Sequence, residues 1–227
     1  PVNITTAGEI AGDDNAIRLS RIVSKVKFTI KAANTTGVTR SFKLDTYDIM
    51  NIAQEGRLIG NNDGNDRIEA EKVNNNIGNT IGVNDVEDGA QFFEVYLPEN
   101  LQTKVKSANS QADRENDSQT TPKVFTKAPA KGTYVVLKGK YEETKNGTTR
   151  SADVTYYVHL GDCTKDVDNY DVERNCKYTY NITVEGVNKI IVEAQKKDGA
   201  DQPGAEGVVL EYGAKGKNMT LDSHYEY

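Results

Sequence analysis

Tryptophan is absent from this chain, and its 227 residues include only two histidines, two cysteines and five prolines. Apolar residues are also sparse, at 36%. No apolar run approaches the roughly 20 residues that a membrane helix needs. With His159 and His224 as the whole imidazole supply, His-rich metal centres are excluded. There is no Gly-x-Ser-x-Gly elbow, and no Ser/His/Asp or Cys/His set is suggested. The glycines near Gly56–Gly64 are not followed by Lys-Ser/Thr and a helix, so they do not form a phosphate loop. Helical heptads and fixed-period repeats are missing too, which removes coiled coils, solenoids and propellers.

What remains is β-forming. Tyr (12) outnumbers Phe (5), and Thr, Val and Tyr come in dense runs, as suits thin sheets with one face in water. The net charge of −6 and pI near 5.1, with both signs mixed, argue against nucleic acid or an anionic membrane as partner. At this length a core needs no metal or dense disulfide support.

Along the chain, Ile17–Ile30 alternates with one slip and predicts a long strand with a bulge or a bend. Asn34-Thr35-Thr36-Gly37 is a turn, and Phe42, Leu44, Tyr47 and Ile49 predict a second strand that closes a hairpin with the first. Residues 55–89 are rich in Asn, Asp and Gly. They read as a surface excursion with one edge strand near Arg67–Val73. Gln91–Pro98 is a short strand stopped by proline. Residues 103–122 have almost nothing to bury and are expected to be mobile.

Thr133–Tyr141 and Asp153–Leu160 flank Lys145-Asn146-Gly147-Thr148, a favoured hairpin turn. In the second of these strands Val154, Tyr156, Val158 and Leu160 share a face, which places His159 on the opposite, solvent-side face. Lys177–Val184 alternates Tyr178, Tyr180, Ile182 and Val184, and Ile190-Ile191-Val192 is read as its continuation past Gly186. Short terminal strands are expected at 208–210 and 219–221. Strands, turns and no helices together indicate an all-β, Greek-key sandwich with long irregular loops. The expected organisation is an N-terminal arm at 1–14, a sandwich at 15–198, and a linker with C-terminal strands at 199–227.

Cys163 and Cys176 flank an acidic loop at strand boundaries, and a disulfide between them is expected in an oxidising compartment. Asn61–Asp66 and the Asp162, Asp166, Asp168, Asp171 cluster are the calcium candidates. The first departs from the EF-hand spacing and lacks its closing Glu, and solvated loops are the simpler reading of both. No cofactor and no metal is expected. Leu97-Pro98-Glu99-Asn100-Leu101 lacks the Thr-Gly of a sortase signal, and Asn-x-Thr sequons arise by chance in so Asn- and Thr-rich a chain.

Several phrases, in order, resemble one family. Leu19-Ser20-Arg21-Ile22-Val23-Ser24-Lys25-Val26 is similar to the L-x-R-x-x-A-K-V strand of Bacteroidales fimbrillin-like (Mfa-like, FimA-type) surface proteins, with Ser24 in place of Ala. Tyr96-Leu97-Pro98-Glu99-Asn100-Leu101-Gln102 resembles their Y-x-P-E-N-x-Q segment. Tyr156–Gly161, Asp168–Asn175 and Lys177–Val184 resemble the core Y-x-I-x-L-G … F-N-V-x-R-N-x-x-Y-x-Y-x-I-x-V, and Leu221–Glu226 resembles a passage leading into a further domain. The resemblance implies transthyretin-like sandwiches, lipoprotein export to the outer surface, and assembly by strand addition at an open edge. On this reading the chain is a non-catalytic structural or adhesive subunit, and a piece of a larger surface protein. Its partners are other subunits and a host protein or glycan. Two rival classes stand beside it. One is a carbohydrate-binding module using Tyr156 and Tyr157 or Tyr178 and Tyr180; the other is a hydrolase whose catalytic residues lie in another domain.

Overall fold

The computed structural model describes residues 21–56, 70, 72–82, 86–87, 89–102, 108–115, 117–118 and 124–198, together with the backbone of 16–17 and 210–211. In chain order the elements are β1 (Ala16–Ile17), β2 (Val23–Ala32), β3 (Val38–Ala53), β4 (Val73–Thr80), β5 (Val86–Glu87) and β6 (Ala90–Pro98). They continue with helix α1 (Gln111–Arg114), β7 (Asp117–Ser118), β8 (Val124–Phe125), β9 (Tyr134–Lys145), β10 (Thr148–His159), β11 (Cys176–Gly186), β12 (Lys189–Asp198) and β13 (Leu210–Glu211). The chain divides into two units, residues 1–21 with 197–227, and residues 22–196. In the first, Ala16–Ile17 pairs antiparallel with Leu210–Glu211.

The second unit is nearly all β. Its two main sheets have the orders β10-β9-β3-β4 and β12-β11-β2-β6-β5, and β7 pairs with β8 in a small ladder. β2 and β11 are parallel, and β2 and β6 antiparallel. One core cluster draws from both sheets. Alternation puts Val26, Phe28 and Ile30 inward from β2, Tyr178, Tyr180, Ile182 and Val184 from β11, and Val154, Tyr156 and Val158 from β10. Stacked rings run through its middle: Tyr47 on Phe93 at 3.8 Å, Phe93 on Phe28 at 4.8 Å, and Phe28 on Tyr180 at 4.9 Å.

The Asn146–Gly147 hairpin forms as predicted. Both residues take positive φ, 51° and 74°, and Thr148 pairs with Lys145. Other expectations are corrected. The long Ile17–Ile30 strand is divided between β1 and β2. β2 and β3 do not form a hairpin, because the turn at Thr35–Val38 carries the chain from one sheet to the other. Most of the edge strand expected near Arg67–Val73 lies outside the described residues, and the edge strand that is described runs over Val73–Thr80. Ile190–Val192 does not continue β11; the chain turns at Val187–Asn188 and returns as the neighbouring strand β12. Asn61–Asp66, His224 and residues 219–227 lie outside the described residues.

Candidate functional site

The two most specific phrases of the sequence meet in one place. Pro98 ends β6, and the next residues cross to the loop ahead of β11. There Asn100 and Val172 exchange both backbone hydrogen bonds, at 2.8 and 2.9 Å. The Asn100 side-chain amide donates toward the Lys131 carbonyl at 2.8 Å, Thr133 Oγ1 at 2.9 Å and the Asn51 carbonyl at 3.2 Å. It thereby joins the end of β3, the approach to β9 and the loop before β11. Gln102 donates its backbone N–H to Asp171 Oδ1 at 2.8 Å and its side-chain amide to Asn100 Oδ1. Glu99 receives the Arg174 backbone N–H at 3.3 Å.

From β11, the Tyr178 hydroxyl donates to the Asp171 carbonyl and accepts from the Glu173 N–H. The Tyr180 hydroxyl donates to the Gly161 carbonyl at 2.9 Å and accepts the Gly161 N–H at 2.7 Å. Gly161 has φ 124°, and a Cβ there would run into the Asn169 carbonyl. Several side-chain oxygens of the acidic loop are turned onto backbone. Asn169 Oδ1 accepts from the Asp162 and Asp171 N–H groups, and Asp166 Oδ1 from Asp168 N–H. These partners replace the water that buried backbone groups lose. Among the described residues no group of three or more His, Cys, Asp or Glu is gathered for a metal ion.

The segment expected to be mobile supplies the most buried charge. Ser110 caps α1 by accepting the Asp113 N–H at 3.2 Å, and Asp113 is tied to Lys127 at 2.7 Å. Arg114, 0% exposed, projects inward from this short helix. Its guanidinium donates to the carbonyls of Val167 (2.6 Å), Asn169 (2.8 Å), Leu160 (2.9 Å) and His159 (3.1 Å), and it lies 4.0 Å from the Tyr170 ring centroid. Five N–H donors in a rigid fork suit such a cluster of carbonyls. The one legible signal was the Ser110-x-x-Asp113 capping pattern; nothing in the sequence marked Arg114 as buried.

His159 is corrected with it. Its face is opposite Val158, as alternation requires, but that face is covered at this end and His159 is 1% exposed. Phe125 stacks edge-on at 4.5 Å, with Tyr134 at 5.0 Å and Tyr170 at 5.8 Å. Its Nδ1 has no hydrogen-bond partner. Burial first, then the Arg114 charge, lowers its pKa to about 3, so the ring is neutral. Glu115 moves the other way: burial pushes its carboxyl up to about 7, against its Gln111 hydrogen bond and Arg114. Cys163 and Cys176 are both buried in the core cluster and stand as thiols in the structure, with the Cys163 thiol pushed up by burial.

Of the tyrosines proposed for glycan stacking, Tyr156, Tyr178 and Tyr180 are core residues at 4%, 1% and 0% exposure, and Tyr157 is half-buried against Phe125.

The sheet edges contrast with this closed end. β6 pairs with β2 along Ile30–Val23, but on its other side β5 reaches only Ala90 and Gln91. Among the described residues no strand covers that edge of Phe92–Pro98. β4 is the outermost strand of its sheet; it has no charge and no proline, and Ile77 is 66% exposed. The first half of β3, beyond the reach of β4, is plugged by side chains. Asn34 Oδ1 accepts the Arg40 N–H at 2.6 Å, and the Gln91 amide takes both the N–H and the carbonyl of Leu44, at 2.7 and 3.2 Å.

Residues 95–182 match the model of a family described as a domain of unknown function, DUF4906. That span begins in β6, ends in β11 and contains the closed end apart from Asn51 at the end of β3. No curated protein matches the chain. Among solved structures it is similar to fimbrial and cell-adhesion proteins of Bacteroidales. The tip fimbrial protein Mfa3 of Porphyromonas gingivalis is 18% identical over 79% of this chain and 52% of that one, with TM-score 0.40. A candidate cell adhesion protein of Parabacteroides distasonis is 14% identical over 79% and 59%, with TM-score 0.46. A fimbrial protein of Bacteroides vulgatus is 11% identical over 86% and 61%, with TM-score 0.42. The chain spans between half and two thirds of each of these three.

Proposed function

We propose that this chain is a non-catalytic structural or adhesive subunit of a bacterial surface fimbria or surface lipoprotein. It folds as a transthyretin-like, Greek-key sandwich and assembles with other subunits by adding a strand at an open sheet edge. The observation that carries this reading is how the resembling phrases are used. Asn100, Gln102, Asp171, Tyr178 and Tyr180 are each engaged with backbone or with one another, and Asn100 also with Thr133. Their role is to hold the end of a sandwich. The uncovered side of Phe92–Pro98 and the outer side of β4 are ladders that a partner strand would complete while packing alternate side chains. Edge strands are ordinarily protected by Lys, Pro or inward charge; β4 has none of these.

The test is assembly. Electron microscopy and light scattering of the chain should show end-to-end association that a synthetic peptide of the terminal residues 208–227 competes away. A strictly monomeric chain over the accessible concentration range would contradict the proposal. The carbohydrate-binding alternative, as placed on Tyr156, Tyr178 and Tyr180, loses its contacts to the core.

A further inference from the structure

We infer that the outward face of the five-stranded sheet is a binding surface for an acidic polysaccharide, one bearing carboxylates or sulfates along a repeating chain. The inward positions of β2 and β11 are core residues, so the alternate positions face out, and the register aligns them in rows. Lys177, Lys25 and Tyr96 form one row, and Thr179, Lys27 and Glu94 the next. Lys31 stands opposite Thr183 further along. From Lys177 to Thr183 these rows hold four lysines and one carboxylate, on a chain whose net charge is −6. Lys25 takes that carboxylate at 2.8 Å, and Lys27 lies 5.0 Å from the Phe92 ring centroid. Glu185, just past the last row, is taken by Lys189 at 2.6 Å.

Lys177 and Lys25 therefore face each other across adjacent strands, and the Glu94 carboxylate is paired with Lys25. Like charges in register destabilise a sheet, and nothing in the core asks for them. An anionic partner accounts for their placement. The ligand class follows from Tyr96, 64% exposed and next to Lys25 in the same row. A flat ring offers an apolar face to the C–H side of a sugar, while lysines supply point charges for its acid groups. Strands about 4.8 Å apart repeat the pattern laterally, which suits a repeating polymer. Nucleic acid, the competing polyanion, is distinguished by the test below.

The inference is independent of strand addition. A chain that binds acidic polymers as a monomer keeps this inference and fails the assembly reading, and one that assembles without binding does the reverse. The experiment titrates the full chain with polygalacturonate, heparin, neutral dextran and single-stranded DNA at low and high salt. Polygalacturonate or heparin should bind, weakening as salt screens the contacts, and dextran should not. Lys177→Glu and Lys31→Glu should each lower affinity about tenfold. Tyr96→Ser should lower it several-fold with the salt dependence unchanged. Lys140→Glu, the same charge change on the other sheet, should leave it intact. The inference is overturned by any of three results: neither acidic polymer binds, Lys140→Glu weakens binding as much as Lys177→Glu, or DNA binds as tightly as both acidic polymers.

Discussion

The closed end and the open edges of the larger unit are built from the same kind of residue and put it to opposite use. At the closed end, Asn100, Asn169 and Gln102 turn their amides onto buried backbone. Along β4, Asn74, Asn75, Asn76 and Asn79 line an exposed outer strand. The difference is burial. An unpaired backbone group costs about 1–3 kcal/mol when dry and almost nothing when wet. The closed end therefore requires specific side chains at specific positions, whereas the edge only has to remain open to a partner. The family match at 95–182 covers the first region and omits β4.

Substitutions should separate the two regions by size of effect. Arg114→Ala leaves two buried and two part-buried carbonyls without this donor and should cost about 4 kcal/mol, read as a lower urea midpoint. Arg114→Lys should recover only part of this, because a single ammonium cannot reproduce the fork. The Cys163–Cys176 pairing is carried as a proposal for the chain in an oxidising exterior, with up to about 3 kcal/mol of stabilisation. Alkylation in denaturant without reductant should then add no label to the intact mass; two labels would leave both residues as thiols. Tyr180→Phe removes a hydroxyl that both donates to and accepts from Gly161, and should cost about 2 kcal/mol in the same assay.

Two groups at the closed end should give opposite pH responses. The folded pKa of His159, about 3, lies below its ordinary 6.5. Its neutral form stabilises the fold above pH 6.5, and that contribution is lost as pH falls toward 3. Glu115, raised from 4.5 to about 7, contributes fully below 4.5 and loses its contribution as pH rises through 7. Between pH 4.5 and 6.5 they oppose each other. Thermal midpoints of Glu115→Gln should fall on acidification over that window, and those of His159→Gln should rise. Parallel slopes would refute the assignment. The smallest effect on stability belongs to the edge. Ile77→Lys on β4 should leave the midpoint within about 0.5 kcal/mol while weakening association through that strand.

The same division explains what could be read from the sequence. Period-two alternation identified the inward residues of β10 and β11, because only one face of each strand is buried by the core. Asn146–Gly147 identified its hairpin, because both positions require positive φ. Alternation reports a face, however, and not a sheet. The adjacent strands β2 and β3 therefore read as a hairpin when the turn at Thr35–Val38 sends them into opposite sheets. Arg114 was invisible because its partners are carbonyls, which carry no side-chain identity. His159 was placed on the correct face but not under its cover, because Phe125 is a single aromatic in an otherwise polar stretch.

The most direct test of the account removes residues 208–227, which include β13, and compares hydrodynamic size, circular dichroism and unfolding with the full chain. The account predicts association in the full chain, and a truncated chain that no longer associates but keeps its β-signature and its cooperative unfolding. A full chain that is already monomeric, and a truncated one that unfolds, would show that the tail completes its own fold, contradicting assembly by strand addition.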